Sequence, residues 1–310
     1  MATLISRRNA TALCAGAGAQ LTMTEYAAWA QATEKPLLKR RIPHSGEMLP
    51  AVGLGTSGVF DIGSDPNKRA SCTNVVRALV DHGGSIIDTA PSYGAAEGVV
   101  GDILVATGLR PKIFVASKLE RYGRGANMAE LRASLQNLKI GKIDLTQAHD
   151  VSDPNLDLGL LREWKAQGLC RYIGITRTYE GDYDVVVSIL KREKPDFVEI
   201  GYAIDDRKAE DGVLPAAAEV GAAVLVAVPF GRGRLFRKAL GNKLPDWAAE
   251  FDCSSWAQFF LKFILGNPVI TAAIPATDKP EHMIDNLAGG RGRFPDAKER
   301  ARMVQYVESL

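Results

Sequence analysis

Four side chains that can hold or move a proton lie near the ends of three successive strand-like segments. Asp88 lies near the end of SIIDTA, Lys118 ends IFVASK and His149 ends IDLTQAH, while Tyr93 follows Asp88 by five residues. Each segment is rich in β-branched residues and precedes a helical pattern, which predicts neighbouring parallel strands. Because such strands lie about 5 Å apart, side chains at the same end of them can converge on one point.

The chemistry that suits this set is proton donation to an oxygen that gains negative charge. An unperturbed tyrosine, with a pKa of about 10, donates its proton reluctantly. A charged Lys118 stabilises the phenolate of Tyr93, and Asp88 keeps that lysine charged in a partly desolvated site. His149 adds a hydrogen bond to the same oxygen. The spacing alone leaves a second interpretation open, in which Asp88 and Lys118 form an ordinary buried ion pair.

Composition limits the function classes. The 310 residues are 46% hydrophobic, and 38 basic against 36 acidic residues give a formal charge of +2. This balance does not indicate nucleic-acid binding, and no apolar run long enough for stable membrane insertion occurs. The four cysteines form no C-x-x-C pair and show no His spacing typical of zinc, so we expect no metal site.

The first thirty residues differ from the rest of the chain. Arg7 and Arg8 precede an Ala- and Gly-rich stretch that ends in Ala28-Trp29-Ala30, a small-x-small pattern. We interpret residues 1–30 as a twin-arginine export signal, which predicts a periplasmic protein. The alternative is a disordered leader on a cytoplasmic protein, because Asn9 and Ala10 replace the usual apolar residues after the arginines.

Beyond the leader, the pattern predicts one domain over residues 37–310. His44-Ser45-Gly46 indicates the turn of a short N-terminal hairpin. Helical patterns alternate with the strand candidates, and several of these patterns end at a glycine. Eight strand–helix units in about 250 residues predict a single-domain α/β (β/α)8 TIM barrel. The strand candidates are residues 50–55, 85–90, 113–118, 143–149, 172–176, 197–203, 222–229 and 270–276.

One motif favours a different fold. Gly53-Leu54-Gly55-Thr56-Ser57-Gly58 matches G-x-G-x-x-G after a strand, and Asp88 ends the next strand. This is typical of a doubly wound dinucleotide-binding sheet. However, Pro66 delays the following helix by about two turns of chain, whereas the third glycine of that motif opens a helix. The barrel is therefore the preferred prediction.

Several separated motifs resemble the aldo-keto reductase family, in the order the family has them, over residues 37–290. They are RRIPHSGEMLPAVGLGT, GSIIDTAPSYGAAEGVVGDIL, IFVASK, IDLTQAHD, LREWKAQGLCRYIGIT and VITAAIPATDKPEHMIDNLAG. The resemblance implies that Tyr93 donates a proton, Asp88 and Lys118 support it, and His149 orients a substrate carbonyl. It also implies reduction of an aldehyde or ketone with NADP, with NAD as the alternative cofactor. We expect a monomer.

The resemblance also assigns the cofactor-binding positions, with departures at the nicotinamide end. Thr176-Arg177 stands where the family has Ser-Asn, Glu199 replaces a Gln, and Val228 replaces an aromatic ring. Two opposite charges on neighbouring strands predict an Arg177–Glu199 ion pair within the carboxamide pocket. These departures leave open a catalytically impaired barrel that acts as a binding or partner module.

The phosphate end retains more of the family's pattern. PFGRGRL follows the seventh strand, and Pro280 opens a helix whose N-terminus suits a phosphate. Ala276 replaces a basic residue of the family, while Lys279 and His282 offer replacement charge. We expect Phe60, Tyr122 and Phe230 either to line an open substrate pocket or to pack against loops. The predicted cofactor-binding residues are Thr56, Thr176, Arg177, Glu199, Pro229, Gly231, Arg232, Thr277, Lys279, His282 and Asn286.

Overall fold

Ten strands and ten α-helices form the part of the chain described by the computed structural model, which covers residues 35–120, 124–179 and 183–310. The strands are β1 Lys39–Arg41, β2 Met48–Pro50, β3 Leu54–Gly55, β4 Ile86–Asp88, β5 Phe114–Leu119, β6 Ile143–Ala148, β7 Cys170–Arg177, β8 Phe197–Gly201, β9 Ala223–Ala227 and β10 Ile270–Ala273. The predicted leader and Tyr122 lie outside these residues.

Strands β3 to β10 form one parallel sheet in chain order. The sheet closes on itself, because Gly53 N–H donates to Ala273 O at 2.9 Å and Gly55 N–H donates to Pro275 O at 3.1 Å. The antiparallel pair β1 and β2 forms a separate hairpin, and Gly46 takes a φ of +80° in its turn. The predicted (β/α)8 barrel with an N-terminal hairpin is therefore confirmed.

The helices alternate with the barrel strands as the sequence predicts. They are α1 Pro66–Asp81, α2 Ala96–Thr107, α3 Arg124–Leu138, α4 Gly159–Ala166, α5 Asp184–Glu193, α6 Val213–Val220, α7 Arg234–Lys238, α8 Trp256–Leu265, α9 Pro280–Gly289 and α10 Ala297–Glu308. The side chain of Asp65 caps α1 by accepting from Asn67 N and Lys68 N, and Pro66 occupies its first turn. Gly108 and Gly221 end α2 and α6 in the left-handed conformation.

The glycines of the G-x-G motif have a packing role in this barrel. A Cβ atom on Gly53 would lie 2.7 Å from Ile86 Cβ, and one on Gly55 would lie 2.7 Å from Ile274 O. Both glycines therefore permit the close approach of β3 to its two neighbours in the closed barrel. The alternative doubly wound fold is wrong, and this close approach explains the motif without a dinucleotide fingerprint.

Alternation along the strands divides the buried side chains into two layers. Phe114, Tyr172 and Phe197 point into the barrel, with ring centroids 5.6 to 6.0 Å apart, and pack with Ile42 and Leu49 of the hairpin. This apolar layer fills one end of the barrel interior. Because successive inward positions are two residues apart, the polar residues at the carboxyl ends of the same strands lie above it.

No helix among the described residues is long and apolar enough to cross a membrane. Phe60 is fully buried in the core between the barrel and its helices. Of the two outcomes expected for this residue, packing is therefore correct.

Candidate active site

A buried ion pair forms the base of the site. Lys118 on β5 donates from Nζ to Asp88 Oδ1 on β4 at 2.5 Å and to Thr89 O at 3.1 Å. The two side chains are 0% and 4% exposed, so the pair is shielded from water. The prediction that Lys118 contacts Asp88 is confirmed. Burial raises the pKa of Asp88 well above its usual value, the charge of Glu199 adds to this effect, and Lys118 opposes it.

Tyr93 lies over this pair. Its backbone N–H bonds to Ala90 O at 3.1 Å, in the turn that follows β4. The ammonium of Lys118 lies 5.2 Å from the centroid of the tyrosine ring. Burial raises the pKa of Tyr93 above its usual value, whereas the charge of Lys118 and a hydrogen bond with its ammonium act in the opposite direction. The phenol therefore stays protonated at neutral pH and has a cation beside it.

The position of Tyr93 is fixed by the turn that carries it. Gly94 takes a φ of +61°, and a Cβ atom there would lie 2.4 Å from the carboxyl group of Asp61. Asp61 in turn accepts a hydrogen bond from Ala95 N at 2.9 Å, directly before α2. Only glycine suits a position with both this φ and so little space. The turn therefore holds the tyrosine at the barrel mouth.

His149 is anchored by a glutamate that the sequence analysis missed. Its Nδ1 lies 2.6 Å from Glu120 Oε2, and Ser92 donates from Oγ to the other oxygen of Glu120 at 2.5 Å. Burial opposes ionisation of Glu120, but the hydrogen bonds from His149 and Ser92 outweigh it and hold the pKa of that carboxyl below its usual value. The ring of His149 meets that of Tyr93 edge to face, with centroids 6.1 Å apart.

This anchoring determines what His149 can donate. The Nδ1 hydrogen is directed at Glu120, so Nε2 carries a hydrogen only when the ring is doubly protonated. Asp150 Oδ2 lies 3.7 Å from Nε2. Glu120 follows Lys118 by two residues and thus continues the alternation of β5 past its end, which is the sequence signal that could have identified it.

Glu199 contacts the ion pair instead of Arg177. Its Oε2 lies 3.5 Å from Lys118 Nζ and accepts from Gln147 Nε2 at 2.7 Å. The expected Arg177–Glu199 pair is therefore wrong. Alternation gives the reason, because Thr176 is the register partner of Glu199, and Arg177 lies one residue further and faces the other side of the sheet. Arg177 Nη1 lies 3.5 Å from Asp150 O.

Two of the predicted threonines have structural hydrogen bonds. Thr56 donates from Oγ1 to Asp88 O at 2.9 Å and from its backbone N–H to the same oxygen at 3.0 Å. Thr176 Oγ1 accepts from Asp150 N at 2.8 Å. Both side chains are fully buried. Thr56 nevertheless borders the cavity described next, whereas Thr176 and Arg177 do not.

A cavity of about 400 Å³ opens above Asp88 and Tyr93. Thr56, Glu199 and Pro229 line it, as predicted, and so do Val228 and Phe230. Val228 takes a φ of +53°, which is an outlier for a β-branched residue and costs about 1–3 kcal/mol. The strain lies where β9 turns into the loop that borders the cavity. Of the expected outcomes for Phe230, pocket lining is therefore correct.

Two smaller chambers adjoin this cavity. One, of about 300 Å³, shares Phe230, Phe236 and Ala276 with it and is lined by the predicted residues Thr277, His282 and Asn286. The other, of about 290 Å³, includes Gly231 and Arg232. The prediction that Lys279 binds the cofactor has no support here, because it lines none of the three. It occupies the N-cap position of α9, and its backbone N–H donates to Thr277 Oγ1 at 3.1 Å.

The fold and site together define a (β/α)8 barrel with a Tyr-Lys-Asp-His group at the carboxyl ends of its strands. Residues 51–301 match the model of the aldo/keto reductase family. The chain belongs to this family of oxidoreductases.

Individual relatives agree with this placement. The chain is 29% identical over 258 residues to methylglyoxal reductase YeaE of Escherichia coli, which covers 81% of this chain and 89% of that protein. It is 30% identical over 233 residues to an NADH-specific methylglyoxal reductase of the same organism, with 64% and 69% covered. An aldo-keto reductase from Klebsiella pneumoniae in complex with NADPH has the same fold, with a TM-score of 0.74, 23% identity and 88% and 95% of the two chains covered.

Proposed function

We propose that the protein reduces an aldehyde or ketone to an alcohol with NADPH, and that Tyr93 is the proton donor. The observation that supports this most directly is the position of Tyr93, which lines the cavity while the ammonium of Lys118 lies 5.2 Å from its ring. A buried ion pair with a structural role alone would not require a tyrosine between it and an open cavity.

Each of the four residues has a separate role in the proposed reaction. NADPH supplies the hydride when it is bound. The Tyr93 hydroxyl gives its proton to the carbonyl oxygen, and the ammonium of Lys118 stabilises the phenolate that remains. Asp88 keeps Lys118 charged although both side chains are buried. His149, held by Glu120 at 2.6 Å, donates from Nε2 to the same oxygen when its ring is doubly protonated.

The three chambers fit a dinucleotide. The cavity above Tyr93 continues past Phe230 and Phe236 to Thr277 and Asn286, so one elongated ligand can occupy both ends. The N-terminus of α9 lies near the far end, and the positive end of a helix dipole favours phosphate. Arg232, in a loop where it takes a φ of +52°, lines the cavity and adds positive charge.

The choice between NADP and NAD follows from the same end of the site. Arg232, which lines the cavity, supplies positive charge, and this favours NADPH. Ala276 lacks the charge that the family has at its position, and one relative is named as NADH-specific. We propose NADP as the main cofactor.

The first experiment is a titration of the purified protein with NADPH and with NADH, followed by nicotinamide fluorescence. NADPH oxidation is then measured with methylglyoxal, since the two enzymes named above reduce it. We expect saturable NADPH binding that is tighter than NADH binding, and turnover of the aldehyde. Absence of binding of either cofactor would favour the inactive binding module.

We propose in addition that residues 1–30 direct export through the twin-arginine route, on the basis of Arg7 and Arg8. The double change Arg7→Lys with Arg8→Lys should retain the protein in the cytoplasm without affecting its activity. Fractionation of cells that express both forms measures this. Unchanged export of the double variant, or a wild type that stays uncut in the cytoplasm, would contradict the proposal.

A further inference from the structure

Three buried ionisable groups meet beneath Tyr93, and two of them are carboxyls. Asp88, Lys118 and Glu199 come from three different strands and are 4%, 0% and 1% exposed. Lys118 Nζ lies 2.5 Å from Asp88 and 3.5 Å from Glu199. One ammonium can neutralise only one of the two carboxylates, and an uncompensated charge is costly when the side chain is buried.

The hydrogen bonds of the cluster point to a missing proton donor. Asp88 Oδ2 is buried and accepts no hydrogen bond from an N–H or hydroxyl group of the described residues. A hydrogen bond with Glu199 raises the pKa of Asp88, after the larger effects of burial and of the charge of Glu199. Two ionised carboxyls cannot bond to each other, so this contact is favourable only when one of them carries a proton.

The other groups around the cluster do not supply a positive charge that could balance the second carboxylate. From β6, Gln147 donates to Glu199 at 2.7 Å but is neutral. His149 is directed at Glu120 and lies close to Asp150, so its ring is occupied by two other carboxyls. Tyr93 is a neutral phenol. Among the described residues, Lys118 is therefore the cation that contacts both carboxyls.

We propose that Asp88 and Glu199 hold one proton between them, and that Glu199 is a positioning residue whose shared proton restores Lys118 and Tyr93 after each turnover. The catalytic part of this statement rests on the proposed function. The Tyr93 O–H proton goes to the substrate oxygen, a Lys118 N–H proton goes to the Tyr93 oxygen, and the shared carboxyl proton goes to the Lys118 nitrogen. The carboxyls regain a proton from solvent through the open cavity when the product leaves.

The shared proton predicts a pH-dependent stability that can be measured without cofactor. A carboxyl whose pKa is raised on folding stabilises the folded state below its unfolded pKa of about 4, and this stabilisation is lost as the pH rises towards the raised value. We therefore compare the equilibrium unfolding constants as a ratio, wild type over Glu199→Gln. This ratio should increase about tenfold per pH unit above pH 5. Urea unfolding from pH 5 to pH 8 measures this ratio, and a ratio that does not change with pH would overturn the proposal.

Asp88→Asn provides a second variant if Glu199→Gln does not fold. Since one proton belongs to both carboxyls, removing either one should abolish the pH-dependent difference. A pH-dependent difference that survives in either variant would overturn the shared proton.

The catalytic role is tested by the pH profile of kcat for NADPH-dependent aldehyde reduction. We expect kcat of the wild type to fall about tenfold per pH unit once the shared proton titrates, and we expect Glu199→Gln to be slower but to lack this decline. The matched control is Glu97→Gln, which removes a buried carboxyl that accepts from Ser117 on the outer face of β5 at 2.7 Å. This control should keep the decline. A decline that persists in Glu199→Gln overturns the catalytic role.

The two failures can be told apart. If Tyr93→Phe retained full turnover, the proposed function would be wrong, but the stability experiment on the cofactor-free protein would still decide whether the proton is shared. If Tyr93→Phe is inactive and the stability ratio is flat, only the inference about Glu199 is wrong.

Discussion

The two ends of the cavity are built in different ways. At the Tyr93 end, charged side chains are buried and paired with each other, as in the contact of Lys118 with Asp88 at 2.5 Å. Away from Tyr93, where the two smaller chambers adjoin the cavity, His282 and Arg232 are exposed. Arg232 contacts the ring of Tyr179, with its guanidinium carbon 5.2 Å from the ring centroid.

This difference follows from the work that each end is proposed to do. A proton donor needs a fixed environment, because small changes in burial or in neighbouring charge change its pKa. A phosphate, in contrast, is bound through long-range attraction and backbone N–H groups, and exposed cations serve this purpose at little cost in stability. We therefore expect changes at the Tyr93 end to affect chemistry and folding, and changes at the Arg232 end to affect binding.

The largest expected effect comes from Tyr93→Phe. Removing the hydroxyl takes away the general acid, so kcat should fall about 10²–10⁴-fold while the Kd for NADPH stays almost unchanged. Steady-state kinetics and a fluorescence titration measure the two quantities. Tyr306→Phe, which removes a hydroxyl bonded to Lys243 O, is the matched control and should retain activity. Full turnover by Tyr93→Phe would exclude its role as the acid.

Lys118→Met should have the next largest effect. It leaves Asp88 and Glu199 buried without a cation, so the free energy of unfolding should fall by about 3–5 kcal/mol near neutral pH. The loss should be smaller at pH 5, where the carboxyls are neutralised more easily. Urea unfolding curves at the two pH values test this. A variant as stable as the wild type at both would show that the three groups are not coupled.

Glu120→Gln tests the anchor of His149. The change keeps the shape but removes a charge-assisted hydrogen bond of about 1.5–3 kcal/mol, so kcat/KM should fall about tenfold or more. Ser92→Ala removes only the second partner of Glu120 and should have a smaller effect. Equal activity of Glu120→Gln and wild type would mean that His149 keeps its orientation without the carboxylate.

The smallest effect is expected at the other end of the cavity. Arg232→Ala should weaken NADPH binding by a factor of about three to ten at low salt and by less at high salt, because the arginine is exposed. Its free energy of unfolding should change by less than about 0.5 kcal/mol. Lys238→Ala, which changes an exposed residue at the end of α7, is the control. A large loss of stability in Arg232→Ala would remove the distinction between the two ends.

Much of the site was predictable because its signals are local. Asp88 and Lys118 were placed correctly from strand patterns alone, since a parallel strand brings its last inward residue to the same edge as its neighbours. Glu120 and Gln147 were missed, although each lies two residues from a recognised site residue. The alternation rule, applied within β6 for Gln147 and past the end of β5 for Glu120, would have identified both.

The prediction of an Arg177–Glu199 ion pair was wrong for a different reason. The charge of Arg177 suggested a pair with Glu199, but adjacent residues of a strand face opposite sides of the sheet. Thr176 is the register partner of Glu199, so Arg177, one position further along the strand, faces away from Glu199. Opposite charges on neighbouring strands are therefore evidence of contact only when their register and facing are known.

The sequence by itself determined the order of the strands and helices, the glycine turns and the side of the barrel that carries the polar residues, because these depend on local period and chain geometry. The tertiary structure decided which buried charges meet. Lys118 and Glu199 are 81 positions apart in the chain, and they meet only because the sheet curls and closes. The strength of such a contact depends on how far the barrel shields it from water.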